Sequence, residues 1–239
     1  MSEIVVDTKE IAQKLYNNLS DTGWDNALRT YLLGDSFQVA LSELVKLRNQ
    51  GKRITPPLKN IFRAFKECPL DTLKVVVIGQ DPYPKFGVAD GISFSCSNNN
   101  YPEASLRYML KEIERTVDEE FKDIDPHCDL KRWSNQGVLM LNTALTTNVG
   151  EIGKHYHVWN DFTAELLDYL GHNLPNTIYV MLGKKAQEWK EFIPETETKI
   201  YATHPASAAY NKQSTWNSEN LFNKINQELI TKERKPIIW

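Results

Sequence analysis

Four short apolar runs dictate most of what this chain can fold into. Val75-Val76-Val77-Ile78 is uninterrupted, β-branched and closed by Gly79. Comparable runs fall at 138–141, 178–182 and 200–203. Such a run, with no polar alternation, suits a strand covered on both faces of a sheet. Amphipathic stretches of helical length lie between and after them, at 105–117, 160–170, 184–192 and 217–230. Strands alternating with helices predict an α/β fold with a short central parallel sheet of about four strands, flanked by helices on both faces. A length of 239 residues, 41% of them hydrophobic, suits one domain over residues 1–239 and a core that needs no disulfide or metal.

Residues 1–53 read as helical. Ile11, Leu15 and Leu19 recur at helical spacing, as do Phe37, Leu41, Leu44 and Leu47. Ser36 is the expected N-cap of the second stretch and Gly51 its stop. Pro56-Pro57 then resets the chain before a further helical stretch at 58–66.

Charge and cysteine content narrow the functional class. With 28 basic and 31 acidic residues the net charge is −3, which argues against a protein that grips polyanions by bulk charge. Local concentration of charge is still compatible with that balance. Cys68, Cys96 and Cys128 are odd in number and lack metal-ligand spacing, so free thiols in a reducing cytosolic or nuclear compartment are expected. The first residues show no basic segment followed by an apolar one, and no apolar run approaches the roughly 20 residues of a membrane span. A soluble intracellular protein is expected, with no membrane partner.

In parallel sheets ligands gather at the carboxyl ends of the strands. After the first run come Gln80-Asp81-Pro82-Tyr83-Pro84, after the second Asn142-Thr143, and after the last His204-Pro205-Ala206-Ser207-Ala208. Singly, each has an ordinary structural reading: Asp81 before proline as a turn residue, Asn142 as a cap, His204 as a turn histidine, Phe94 as core. At successive strand ends of one sheet they converge on one cleft.

Gly79-Gln80-Asp81-Pro82-Tyr83 behind an apolar run resembles the signature of the family-1 uracil-DNA glycosylases. Residues 56–65, Gly137 through Asn142-Thr143, Trp159 with Phe162-Thr163, His204-Pro205 and the tail Lys235-Pro236-Ile237-Ile238-Trp239 follow in family order. The resemblance covers about residues 54–239. It implies base flipping, hydrolysis of the bond between uracil and deoxyribose, an abasic product and the start of base-excision repair, on single- and double-stranded DNA, by a monomer without cofactor or metal. Asp81 would position the attacking water and stabilise an oxocarbenium-like sugar. His204 would donate to uracil O2 as negative charge builds there. Asn142 would read the base edge through its amide, Phe94 would stack on the ring, Tyr83 would exclude a thymine methyl, and Gln80 would hold the base through its backbone.

DNA contacts implied by the same resemblance fall at Pro102, Ser105, Lys184, Ala206, Ser207, Ala208 and Lys212. Lys184 stands where serine is common in the family. Pro84 replaces a histidine, as in poxviral members, and Asp90 stands where cellular members often carry histidine. Ala208 replaces a leucine wedge, from which a stronger preference for single-stranded substrates is expected. Two other readings compete. A DNA-binding scaffold weakened in catalysis is supported only by Pro84 and Ala208, and a flavodoxin-like nucleotide site would need a phosphate loop that Gln80-Asp81-Pro82-Tyr83 does not supply. Neither a protein inhibitor nor a replication partner can be read from these residues.

Overall fold

The computed structural model describes residues 7–123 and 127–239. The central sheet has four parallel strands in the order β3-β2-β5-β6, where β2 is Val75–Gly79, β3 Val138–Asn142, β5 Ile178–Leu182 and β6 Thr198–Ala202. A separate antiparallel pair joins β1 (Ile54–Thr55) to β4 (Thr147–Asn148). Every residue of β2, β3 and β5 is buried, as uninterrupted apolar runs require. Strand β6 differs. It is one of the two edge strands and, unlike β3 at the other edge, its residues are half-buried and Tyr201 is exposed, so the expectation of a strand covered on both faces fails there.

The chain leaves β2 toward β3 on one side and returns to β5 on the other. That reversal opens a crevice at the carboxyl ends of the strands. Helices Ala104–Thr116, Tyr156–Asn173 and Leu221–Thr231 pack their apolar stripes into a buried cluster that extends from Ala12 to Trp239. The expected helix at 184–192 is instead an α-turn, Lys184–Gln187, continued as a 3-10 segment, Glu188–Phe192. The stretch at 58–66 likewise divides into Leu58–Asn60 and Arg63–Glu67.

Near the N-terminus, Asp7 caps Thr8–Asn17 by accepting from the Lys9 and Glu10 N–H groups. The helix Asp35–Asn49 starts from Gly34, which places Ser36 inside the first turn and not at the cap. Gly51 does end this helix. At φ 83° it donates to Arg48 O while the Lys52 N–H donates to Leu47 O, a paired closure of the last carbonyls. At the other end of the chain, Trp239 is buried against Trp133 and Phe222, and Asn226 exchanges hydrogen bonds with the Ile237 backbone. No helix among the described residues is long and apolar enough to cross a membrane.

Candidate active site

Register brings the first two strand ends together, because Gly79 is the cross-strand partner of Asn142. Above them lies a cavity of about 360 Å³ lined by Gln80, Asp81, Tyr83, Phe94, Ser105, Asn142, His204, Ala206 and Ser207. Gly79 is there for want of space. A Cβ at this position would lie 2.3 Å from Ser93 Oγ and 2.9 Å from Asn142 Oδ1, so any side chain would fill the floor.

The Asn142 amide is buried, and its Oδ1 accepts a 2.7 Å hydrogen bond from the Ser93 hydroxyl. Phe94 follows with φ 63°, a left-handed conformation that costs an aromatic residue about 1–3 kcal/mol and marks candidate functional sites. Neighbours hold it there. The Ser93 N–H donates to Met140 O, the Ser95 N–H to Ile92 O, and the Tyr83 hydroxyl to Phe94 O. Behind this loop, buried Asp90 accepts from the Ile92 and Ser97 N–H groups and the Ser95 hydroxyl, and pairs with Arg63 at 3.0 Å. Asp90 is therefore a brace for the Phe94 loop and stands away from the cavity lining.

Gln80 turns its carbonyl away from any ligand, toward the Thr143 hydroxyl and the Ala144 N–H, leaving only its N–H and side chain for the cavity. Asp81 Oδ2 accepts from the Gly153 N–H at 2.6 Å. Burial holds the Asp81 carboxyl above the usual carboxylate range, and the Gly153 hydrogen bond opposes that rise. Gly153 makes the bond with φ 71°, and a Cβ on it would strike Tyr156 at 2.9 Å. The loop is pinned by a buried chain of bonds: Trp159 Nε1 donates to Thr146 Oγ1, which meets His155 Nδ1 at 2.8 Å, while His155 Nε2 meets Asn148 Oδ1 at 3.0 Å. Burial brings the His155 pKa down to about 4, so this histidine is a neutral structural link. Thr163 adds a bond to Thr143 O. Pro84 accepts from the Gly150 N–H at 2.8 Å, so the loop closes without a histidine at that position.

His204 stands across the cavity with its ring centroid 5.6 Å from that of Phe94. The Ala206 N–H donates to His204 Nδ1, and burial lowers the imidazole pKa below its ordinary value. A backbone N–H can only donate, so Nδ1 is unprotonated and the ring hydrogen sits on Nε2. The neutral ring therefore presents an N–H donor. Beyond it, Trp216 Nε1 donates to Thr203 Oγ1, Tyr108 OH donates to Gln213 O, and buried Glu112 receives the Ser218 N–H and hydroxyl. These bonds fix the segment that follows β6.

Lys184 and Lys212 are exposed, Pro102 is half-buried, and Ser105 is buried in the cavity wall. Ala208 requires a correction. It is fully buried within the short helix Ala206–Tyr210, so its methyl cannot project into a DNA stack. The large exposed side chain there is Tyr210, 82% exposed and part of the cavity mouth, joined by Ile152. Ser93, Gly153 and Tyr210 were not anticipated from the sequence. The first two make contacts to residues 49 and 72 positions away, which no local pattern records. Among the described residues, no group of three His, Cys, Asp or Glu side chains is placed to hold a metal ion.

A parallel α/β fold with an amide, an aromatic face, a buried carboxylate and a neutral imidazole around one cavity defines an enzyme class that engages a flat, hydrogen-bonding ring. Its family follows from its relatives. Residues 65–230 match the Uracil DNA glycosylase superfamily. The uracil-DNA glycosylase of Acinetobacter baylyi is 31% identical over 97% of both chains. That of Leuconostoc mesenteroides is 34% identical over 92% of this chain and 98% of its own. Mimivirus uracil-DNA glycosylase superposes with a TM-score of 0.82 at 27% identity, covering 96% of this chain and 90% of the other. A Y322L form of the mimivirus enzyme, in complex with UGI, gives 0.83 at 28% identity. The chain belongs to the uracil-DNA glycosylase superfamily.

Proposed function

We propose that this chain hydrolyses the glycosidic bond between uracil and deoxyribose in DNA, releasing uracil and leaving an abasic site, the opening step of base-excision repair. The convergence of Asp81, Phe94, Asn142 and His204 on one cavity carries this reading. A base in a duplex cannot reach so recessed a site, so the nucleotide must swing out of the stack. Phe94 then offers its face to the ring and Asn142 offers donor and acceptor to the uracil O4 and N3–H edge. Tyr83, tied through its hydroxyl to the Phe94 backbone, walls the side where thymine would carry its methyl.

As the bond breaks, its electrons leave with the base and positive charge develops on the sugar. The Asp81 carboxylate stabilises that charge, orients a water toward C1′ and accepts the proton released when the water oxygen bonds there. The His204 Nε2–H faces the negative charge that collects on uracil O2. A neutral donor fixed by a backbone N–H needs no reorganisation as this charge appears.

Lys184 and Lys212 are assigned to DNA phosphates, with Pro102, Ser105, Ala206 and Ser207 shaping the approach to the cavity. Tyr210 takes the stacking role that buried Ala208 cannot fill, so the small residue at 208 no longer implies a preference for single strands. Aromatic faces accept any base and suit this place at the rim. UGI, bound to the mimivirus relative, is expected to block uracil release here, measured by titrating it into the assay.

The test is uracil release from a labelled oligonucleotide, single-stranded and duplex side by side. Release on both substrates is expected. Tight DNA binding without release would favour the scaffold reading instead.

A further inference from the structure

We propose that Ser93 is a positioning residue that sets the choice of uracil over cytosine by fixing which way the Asn142 amide faces. The inference rests on the reading of Asn142 as the group that meets the base edge. Ser93 is 2% exposed and lines the cavity. Its hydroxyl donates to Asn142 Oδ1 at 2.7 Å, while its backbone N–H donates to Met140 O, two residues before Asn142 on the same strand. Backbone and side chain together clamp the Phe94 loop to the end of β3. Gly79 leaves the space this requires, because a Cβ there would displace both Ser93 Oγ and Asn142 Oδ1.

The two ends of an amide are nearly equal in shape and opposite in hydrogen-bond sense. A serine hydroxyl carries one hydrogen, and here it points at the amide oxygen. Were the amide to flip, its NH₂ would face Ser93. The hydroxyl could accept from it, but its own hydrogen would be stranded in a buried site. The bond therefore favours one orientation, in which Oδ1 is anchored and the NH₂ is directed to the base. An NH₂ pairs with uracil O4 and opposes the amino group that cytosine carries at the same position. The flipped amide would invert that preference. Ser93 thus acts on base identity through Asn142 and touches no reacting atom.

The test compares free uracil and free cytosine as inhibitors of uracil release by the wild-type chain, Ser93→Ala and Ser93→Cys. In Ser93→Ala the inhibition constant of uracil should rise roughly tenfold, the effect of one hydrogen bond, while that of cytosine stays level or falls. Ser93→Cys, close in volume but a weaker donor, should move the same way by less. A cavity that has merely loosened would weaken both inhibitors alike, and that result overturns the proposal, as would no change in either. In an Asn142→Ala background the Ser93 substitution should leave the uracil-to-cytosine ratio untouched, and an additive effect there also overturns it. Wild-type protein that releases no uracil would instead remove the parent reading, and this inference with it.

Discussion

The cavity and its rim are built in opposite ways. Inside, Asp81, Tyr83 and Asn142 each hydrogen-bond a group at least 11 residues away, and His204 is fixed within its own turn by the Ala206 N–H. At the mouth, Tyr210 is 82% exposed and Ile152 65% exposed, and Lys184 and Lys212, assigned to the rim, are also exposed. Buried polar groups that have found partners cannot turn without leaving others unsatisfied. The interior is therefore shaped before any base arrives, while the rim can adjust to whatever strand lies across it. Substitutions inside should change the chemical step or the identity of the base. Those outside should change how DNA is held.

Asp81→Asn should break the comparison hardest. The amide keeps the shape and loses both the charge and the proton acceptor, so single-turnover release should fall on the order of 10³–10⁴-fold, the upper part of what a positioned base supplies. DNA affinity should change little. The role proposed for Asp81 requires it ionised, and burial raises its pKa. Release should therefore fall as the medium is acidified, at a higher pH than an ordinary carboxylate would give. A rate insensitive to acid down to the usual carboxylate range would contradict this role.

His204→Ala comes next, with an expected loss of about 10²–10³-fold in turnover and little change in the binding of uncleaved DNA, as for the removal of one oxyanion donor. Because Nδ1 already accepts from Ala206, a histidine that titrates at its ordinary value by NMR would contradict the neutral donor assigned here.

The same division governs what was legible in the sequence. Strands β2, β3 and β5 are buried on both faces, so their apolar runs announce them directly. Strand β6 was located by its run, but its exposure was not: β3 and β6 both end the sheet, and only β6 is left partly open, a matter of what packs over it that its residues do not carry. Asp81, Asn142 and His204 were visible because each stands at or just past the carboxyl end of a strand. Ser93 was not, since its meaning comes from an oxygen 49 residues away. The error at Ala208 has a geometric source. Residues two apart on a helix point about 200° from each other, so the turn Ala206–Tyr210 buries Ala208 by facing Tyr210 outward. A residue-for-residue match to an extended wedge cannot see that rotation.

Two substitutions in this turn sharpen the contrast. Tyr210→Ala should weaken duplex binding roughly tenfold, the low end of one base–aromatic stack, with little effect on the chemical step. Ala208→Leu should act inside instead, costing about 1–3 kcal/mol of stability by overpacking, measured by denaturant unfolding. An unchanged stability with an altered ratio of single-strand to duplex rates would restore Ala208 as the wedge.

The smallest effects belong to the lysines. Lys184 sits beyond Gly183 and Lys212 beyond the Tyr210 turn, both exposed. Each is assigned one phosphate, so Lys184→Ala and Lys212→Ala should each reduce the slope of log affinity against log salt by about 1. The chain carries a net charge of −3, so its attraction to DNA must come from a few such local contacts and not from a general field. The two effects on slope should then add, while uracil release at saturating DNA stays level. If neither slope moves, the phosphate contacts lie elsewhere on the rim. If turnover falls instead, the partition between a fixed interior and an adjustable rim fails at that residue.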